Sequence, residues 1–202
     1  INQGDLTFVE MGEAFGIADE GYTTHAAFFD YDRDGDLDVY LLTGGGFEKS
    51  SITTRPILKN GENRNTDRLY ENTYDSLLEH PRYVNVSAEA GILIEGFGLW
   101  VSILDVYEDG WLDVYVANDY ISRDLIYVNN QDGTFTEQLQ SYFNHTSYFS
   151  MGCDVGDINN DGLPDIVTLD MLPEDRIRKK LMFEPNQVDR FHIIVERDYG
   201  HQ

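Results

Sequence analysis

Cysteine is nearly missing from this chain, basic residues are scarce, and long apolar runs do not occur. The single cysteine, Cys153, excludes any disulfide within the chain. That avoidance fits the cytosol and a bacterial exterior equally. Lys and Arg number 14 against 37 Asp and Glu, for a formal net charge of −23. A field of that sign argues against nucleic acid and anionic lipid as partners, and favours cations. No run approaches the length of a membrane span. The chain opens on Ile1, with no initiator methionine and no signal peptide, and reads as a processed or excised piece. Catalytic signatures are lacking as well. His25, His80, His145, His192 and His201 form no zinc spacing, and there is no G-x-S-x-G elbow or P-loop. Gly44, Gly45 and Gly46 follow a strand pattern but lead to no Lys-Ser/Thr, so they read as a turn. Cys153 reads as a packing residue, with no partner to activate it. No catalysis is expected; the rival is a propeller enzyme acting on polysaccharide, whose carboxylate pairs would lie apart from the loops described next.

What is present is a phrase repeated three times. HAAFFDYDRDGDLDVYLLTGG is matched by LWVSILDVYEDGWLDVYVAND and by MGCDVGDINNDGLPDIVTLDM, with first aspartates Asp30, Asp105 and Asp157. The longer gap, between the first two copies, contains the polar stretch 44–68, which reads as an inserted loop. A second phrase also recurs, RLYENTYD and LIYVNNQDGTFTEQ. One unit is therefore an apolar strand, an acidic loop, a second apolar strand and two more short strands. Four strands in roughly 50 residues is the size of a β-propeller blade. The expected fold class is all-β: a propeller segment of four-stranded blades, about three of them, in an incomplete ring. Residues 1–20 are expected to be outer strands of a partial blade, 21–92 and 96–143 two full blades, and 150–172 the inner strands of a partial blade. The tail 173–202 reads as a helical extension or insertion. Pro173, Glu174 and Asp175 precede the basic Arg176, Arg178, Lys179 and Lys180, the charge order a helix dipole prefers. Val188, Phe191 and Val195 share one helical face before Gly200.

The acidic loops carry the chemistry. In FFDYDRDGDLDVYLL five aspartates alternate between apolar runs. As a flat strand they would line one face within about 7 Å of each other and repel by a few kcal/mol per pair. If the chain curls instead, Asp30, Asp32 and Asp34 turn toward one point, Gly35 permits the bend, the Asp36 carbonyl faces inward and Asp38 closes the ring. Hard oxygen donors in a tight loop suit Ca²⁺, which converts the repulsion into attraction. The third copy offers Asp157, Asn159, Asp161, the Leu163 carbonyl and Asp165. The second offers Asp105, Asp109, the Trp111 carbonyl and Asp113, but Tyr107 stands at its third position. Two Ca²⁺ sites are expected, with the middle one weak or empty. An EF-hand is excluded. It needs a Glu at loop position 12, where this chain has Leu41, Val116 and Thr168, and it needs flanking helices where LDVYLL, LDVYVA and PDIVTL are strand-like. Plain acidic turns would explain one copy; three in the same strand context argue for metal.

The motif D-x-[DN]-x-D-G-x-x-D between apolar strands, with Phe97-Gly98, resembles the FG-GAP or VCBS repeat of integrin α-subunit propellers and many bacterial surface proteins. THAAFFDYDRDGDLDVYLL, GWLDVYVAND and NNQDGTFTE are most similar to the bacterial relatives of cartilage acidic protein, the ASPIC/UnbV group. The resemblance covers about 1–172. It implies ligands at loop positions 1, 3, 5, 7 (carbonyl) and 9, and an extracellular or cell-surface module, on a bacterial exterior, that binds a protein or a glycan. Remaining blades would come from the parent chain or other chains. A purely structural segment of a larger surface protein is the further alternative. Phe47, Tyr70, Tyr74 and Tyr120 read first as packing residues and second as a binding surface. Asn85 and Asn144 open glycosylation sequons that matter only in a eukaryotic secretory setting.

Overall fold

The computed structural model describes residues 1–44, 56–119, 122–147, 149–171 and 173–178. Ten strands account for its regular structure: β1 (Thr23–Phe29), β2 (Asp38–Thr43), β3 (Arg68–Asp75), β4 (His80–Asn85), β5 (Gly98–Leu104), β6 (Asp113–Asn118), β7 (Leu125–Asn129), β8 (Phe135–Glu137), β9 (Ser150–Gly156) and β10 (Asp165–Asp170). Two single-turn helices, α1 (Gly12–Phe15) and α2 (Leu139–Tyr142), accompany them. The strands form two four-stranded antiparallel sheets, β1-β2-β3-β4 and β5-β6-β7-β8, and a two-stranded sheet of β9 and β10. The fold is all-β, and the described residues close no ring. Within 1–20 lie α1 and one isolated bridge, Asn2 to Phe8. Of the tail, only 173–178 are described; the helical reading of Val188, Phe191 and Val195, and of Lys179 and Lys180, lies outside the described residues, as do Phe47 and Tyr120.

The three repeats of the sequence are three hairpins in one register. Phe29 pairs with Asp38, Leu104 with Asp113 and Gly156 with Asp165, so each acidic loop joins the first two strands of its sheet. Because successive side chains alternate across a strand, this shared register gives every sheet the same two faces. On the first sheet Tyr40, Leu42, Leu69 and Phe29 face the second sheet, where Val101, Val114, Val116 and Tyr127 meet them. On the second, Leu104, Tyr115, Ala117 and Ile126 face the third, meeting Cys153, Val155 and Ile166. The other face of the first sheet holds Val39, Leu41 and Tyr70 under Ile17 and Tyr83. Tyr70 is thus a packing residue, whereas Tyr74 is exposed. Each fully buried side chain of this kind contributes about 1.5–3 kcal/mol.

The Phe97-Gly98 dipeptide has a steric reason. A Cβ on Gly98 would lie 2.3 Å from Leu42 Cδ1, so only glycine lets β5 approach β2 this closely. The Thr24 hydroxyl donates to the Gly98 carbonyl at 2.9 Å across the same contact. Cys153 is buried in β9, its Sγ 3.2 Å from Ser102 Oγ, and burial pushes its thiol up to about 11. That is the packing role its sequence context suggests.

At the end of the sheets away from the acidic loops, two buried aspartates repeat a network. Asp67 accepts from the Tyr40 hydroxyl at 2.8 Å and from the Thr43 amide at 2.8 Å. Asp124 accepts from the Tyr115 hydroxyl at 2.7 Å, the Asn118 amide at 2.8 Å and the Ser150 hydroxyl at 3.0 Å. The Ser150 bond ties the third sheet to the second. Burial raises the Asp67 carboxyl to about 6, against the lowering effect of its hydrogen bonds and of Arg68. A folded-state pKa above the unfolded one means that the folded chain binds the proton more tightly. The resulting stability is full below the ordinary aspartate value and is lost as pH rises toward 6. Two units correspond to a change on the order of 3 kcal/mol. Denaturant unfolding in a chelating buffer between pH 4 and 6 is expected to show stability falling with pH, with a shallower slope in Asp67→Asn; equal slopes would refute the assignment.

Candidate metal centre

Each acidic loop leaves its first strand, reverses and enters the second within a few residues. Two left-handed residues make that reversal. One is the glycine expected from the sequence: Gly35, Gly110 and Gly162, with φ of 98°, 84° and 89°. The other is loop position 4, occupied by Arg33, Glu108 and Asn160, with φ of 63°, 54° and 61°. Non-glycine residues enter this region at a cost. Nothing in the pattern marked position 4, because its side chain varies in type while its backbone does not.

The loops share a hydrogen-bond template. The glycine amide donates to the first aspartate: Gly35 to Asp30 at 3.2 Å, Gly110 to Asp105 at 2.8 Å, and Gly162 to Asp157 at 2.9 Å. The closing aspartate accepts from the residue after the first: Tyr31 to Asp38 at 3.1 Å, Val106 to Asp113 at 2.8 Å, and Ile158 to Asp165 at 2.9 Å. Position 7 donates to position 5: Asp36 to Asp34 at 3.1 Å, Trp111 to Asp109 at 2.9 Å, and Leu163 to Asp161 at 2.9 Å. The closing carboxylates of the first two loops also reach the third strand. Asp38 accepts from the Asn72 amide at 2.8 Å, and Asp113 from the Asn129 amide at 2.8 Å. Asn72 and Asn129 occupy the same place in the second repeated phrase, which is the signal that could have singled them out.

In the first loop, one carboxylate oxygen each of Asp30, Asp32 and Asp38 lies within 4.8 Å of the others. Among the described residues no other group of three His, Cys, Asp or Glu gathers so closely. Asp34 stands outside this trio, and its Oδ1 takes the Asp36 amide. Asp30 Oδ1 and Asp36 Oδ1 are buried with no hydrogen-bond partner in the protein. Asp36 thus turns a carboxylate oxygen inward, where the sequence pointed only to its carbonyl. Buried acceptors without donors are costly, and a hard cation is what satisfies carboxylate oxygens in such numbers.

The electrostatics agree. Burial, then the neighbouring carboxylates, raises Asp32 and Asp36 above the ordinary aspartate value. Burial raises Asp38 to about 6, although two backbone amides oppose the shift. Glu71, on β3, is raised by burial and then by Asp32, Asp34 and Asp36. It is a further carboxylate at this hairpin end that the loop motif alone does not reveal. A bound divalent ion reverses each of these shifts.

The other two loops differ. In the second, Asp113 is buried and raised by that burial, but Asp105 and Asp109 gather no third carboxylate. Tyr107 turns outward, 56% exposed, with its ring 5.9 Å from that of Tyr142. In the third, Asp157, Asn159, Asp161 and Leu163 lie at the surface. The Asn159 side-chain amide donates to Asp161 at 3.0 Å while its Oδ1 takes the Asp161 backbone amide.

A family model described as an FG-GAP-like repeat matches residues 105–168. That span runs from the second acidic loop through the second and third sheets. Integrin alpha-6 of Homo sapiens is 36% identical to the chain over 84 residues, which is 37% of this chain and 7% of that protein. The chain therefore carries an FG-GAP-like repeat and a limited likeness to an integrin α-subunit, and it spans a small fraction of that relative's length. No helix among the described residues is long and apolar enough to cross a membrane.

Metal binding at the first loop must displace the proton that burial places on Asp38. Affinity for a divalent cation is therefore expected to fall as pH drops below about 6, with proton release on binding in that range. Calorimetry at pH 5.5 in two buffers of different ionisation enthalpy checks this; buffer-independent heats would contradict it.

Proposed function

We propose that this chain is a calcium-binding β-propeller segment serving as a non-catalytic, extracellular or cell-surface binding module. One observation carries the reading: Asp30, Asp32 and Asp38 converge beside two buried carboxylate oxygens that no donor reaches. Asp30, Asp32, Asp34, Asp36 and Asp38 would hold one Ca²⁺. Asp157, Asn159, Asp161, the Leu163 carbonyl and Asp165 would hold another. The ion supplies charge neutralisation and fixes the hairpin end; no bond is made or broken there.

The propeller reading is supported by apolar strand residues exposed at either end of the stack. Phe28 occupies the strand position of Ile103 and Val155, which pack against the preceding sheet, yet Phe28 is 57% exposed. Val167 and Leu169 occupy the positions of Tyr40 and Leu42, and they too are exposed. Further blades of the parent chain, or of other chains, would cover these residues. The likeness to the ASPIC/UnbV group and the net charge of −23 support a bacterial exterior rich in divalent cations and a protein or glycan ligand there, with no nucleic acid. Of the described carboxyls with raised values, Asp32, Asp36, Asp38, Glu71 and Asp113 lie at the acidic hairpin ends and Asp67 and Asp124 in the tyrosine networks, while Asp119, raised by burial and then by Asp170, stands apart from both.

Calcium added after thorough chelation is expected to raise Tm, because binding to the folded state alone stabilises it. At 100 times Kd the gain is about 2.7 kcal/mol, or several degrees for a chain of this size. An unchanged melting curve would sink the proposal. Asp34→Ala is expected to reduce the calcium-dependent gain more than Asp109→Ala, and equal reductions would show that Tyr107 does not distinguish the loops.

A further inference from the structure

We infer that the second acidic loop is closed by a donor from the neighbouring β7–β8 turn, the Gln131 side-chain amide on Asp109, with the Arg33 guanidinium seated against the Trp111 ring beside it, in place of a divalent cation. The inference rests on the reading that loops of this type otherwise hold Ca²⁺.

The carboxylates of the second loop are already saturated. Asp105 accepts from the Asp109 amide at 3.1 Å and the Gly110 amide at 2.8 Å. Asp113 accepts from Val106 and Asn129, both at 2.8 Å. Asp109 accepts from the Trp111 amide at 2.9 Å, and its other oxygen takes the Gln131 side-chain amide at 2.8 Å. Every carboxylate oxygen of these three residues thus has a donor. In the first loop Asp30 Oδ1 and Asp36 Oδ1 have none. The decisive donor is Gln131, because it reaches Asp109 from outside the loop; in the third loop Asp157 and Asp161 are bonded as fully, but the donor to Asp161 is Asn159, which stands at a ligand position of that same loop. Gln131 sits in the β7–β8 turn with φ of 65°, anchored by its own amide to Asn129 Oδ1 at 2.9 Å. Its counterpart in the first sheet is Tyr74, which is still within β3, paired with Pro81 and exposed. A phenol there has no amide to give the first loop.

Positive charge arrives from the neighbouring loop. The left-handed turn at Arg33 sends its side chain across to the second loop. There the guanidinium carbon lies 5.4 Å from the centroid of the Trp111 ring. Arg33 Nη1 lies 3.3 Å from where a Cβ on Gly110 would be. A larger residue at position 6 would displace it, so the glycine serves the incoming cation as well as the turn. At the same loop position the second loop has Glu108 and the third Asn160, so no cation is passed to the third loop from Glu108. The first loop is also bonded to the second through Asn129, whose side-chain amide donates to the Tyr31 carbonyl at 2.8 Å. Tyr107, facing Tyr142, removes the last ligand that could compete with these donors.

Counting bound Ca²⁺ by native mass spectrometry, after chelation and re-addition, tests this on the whole chain. Two ions are expected in the wild type, with Asp30→Asn and Asp157→Asn each removing one. Asp105→Asn is expected to leave two, and Tyr107→Asp combined with Gln131→Ala to bind three. Three ions in the wild type with a loss in Asp105→Asn would overturn the inference while leaving the calcium reading intact, as would a folded double variant that still binds two. No ion in the wild type would overturn the calcium reading. The wiring of the second loop is then read by Gln131→Ala, expected to lower Tm by about 2–4 °C equally in calcium and in chelator. A loss seen only in chelator, or no loss in either, would overturn the inference.

Discussion

The whole arrangement depends on how closely spaced carboxylates are neutralised at the ends of the hairpins. Two unit charges about 4 Å apart interact by about 4 kcal/mol at an effective dielectric constant near 20. Asp30, Asp32 and Asp38 bring three oxygens within 4.8 Å of each other. The amides of Gly35, Tyr31 and Asn72 offset part of that repulsion, at about 1 kcal/mol or somewhat more for each. A deficit remains that is comparable with the net stability of a domain, about 5–15 kcal/mol. A counter-charge at this hairpin end would remove that deficit. Its consequences reach far from the loop, because the closing aspartate sets the register: Phe29 opposite Asp38 decides which side chains of β1 and β2 face the next sheet. A slip of one residue would turn Tyr40 and Leu42 away from the core.

Given that register, the packing follows by repetition. Each sheet presents one face forward and one back, and the forward face of one meets the back face of the next. Thr24 to Gly98 and Ser150 to Asp124 stitch successive sheets at one end, and Asn129 to Tyr31 stitches them at the loop end. The stack is cohesive because polar ties at both ends bracket an apolar middle. The same geometry leaves strand residues of the two outermost faces exposed, Phe28 on one side and Val167 and Leu169 on the other.

Much of this was legible in the sequence, and the reasons are physical. The period-2 strands, the glycine turns and the repeated aspartates each leave a residue-type signature, so the sheets, their hairpins and the loops could be placed beforehand. Tyr107 announced a damaged second loop because a phenol stands where a carboxylate belongs. What could not be read was whatever depends on contacts between sheets. Gln131 and Arg33 carry no signature of their contacts, because their partners lie in other loops. Glu71 joined the acidic hairpin end only because β3 runs beside β2 in this register. Asp67 and Asp124 lie outside the loop motif, and their burial follows from the Tyr40 and Tyr115 hydroxyls that cover them.

The three loops therefore solve one electrostatic problem in different ways, and their order in the stack matters. The first loop leaves buried carboxylate oxygens without a donor, whereas the third bonds most of its own at the surface. The second lies between them, with Asp113 almost fully buried and bonded to both β7 and its own loop. A hairpin in that position that needed an ion would part the stack at its centre whenever the ion left. On the inference that internal donors close the second loop, the register of the central sheet does not depend on the ionic medium. The single arginine that crosses from the first loop to the second also makes the coupling directional: losing order at Asp30–Asp38 would withdraw the charge from Trp111, whereas Glu108 passes nothing comparable to the third loop.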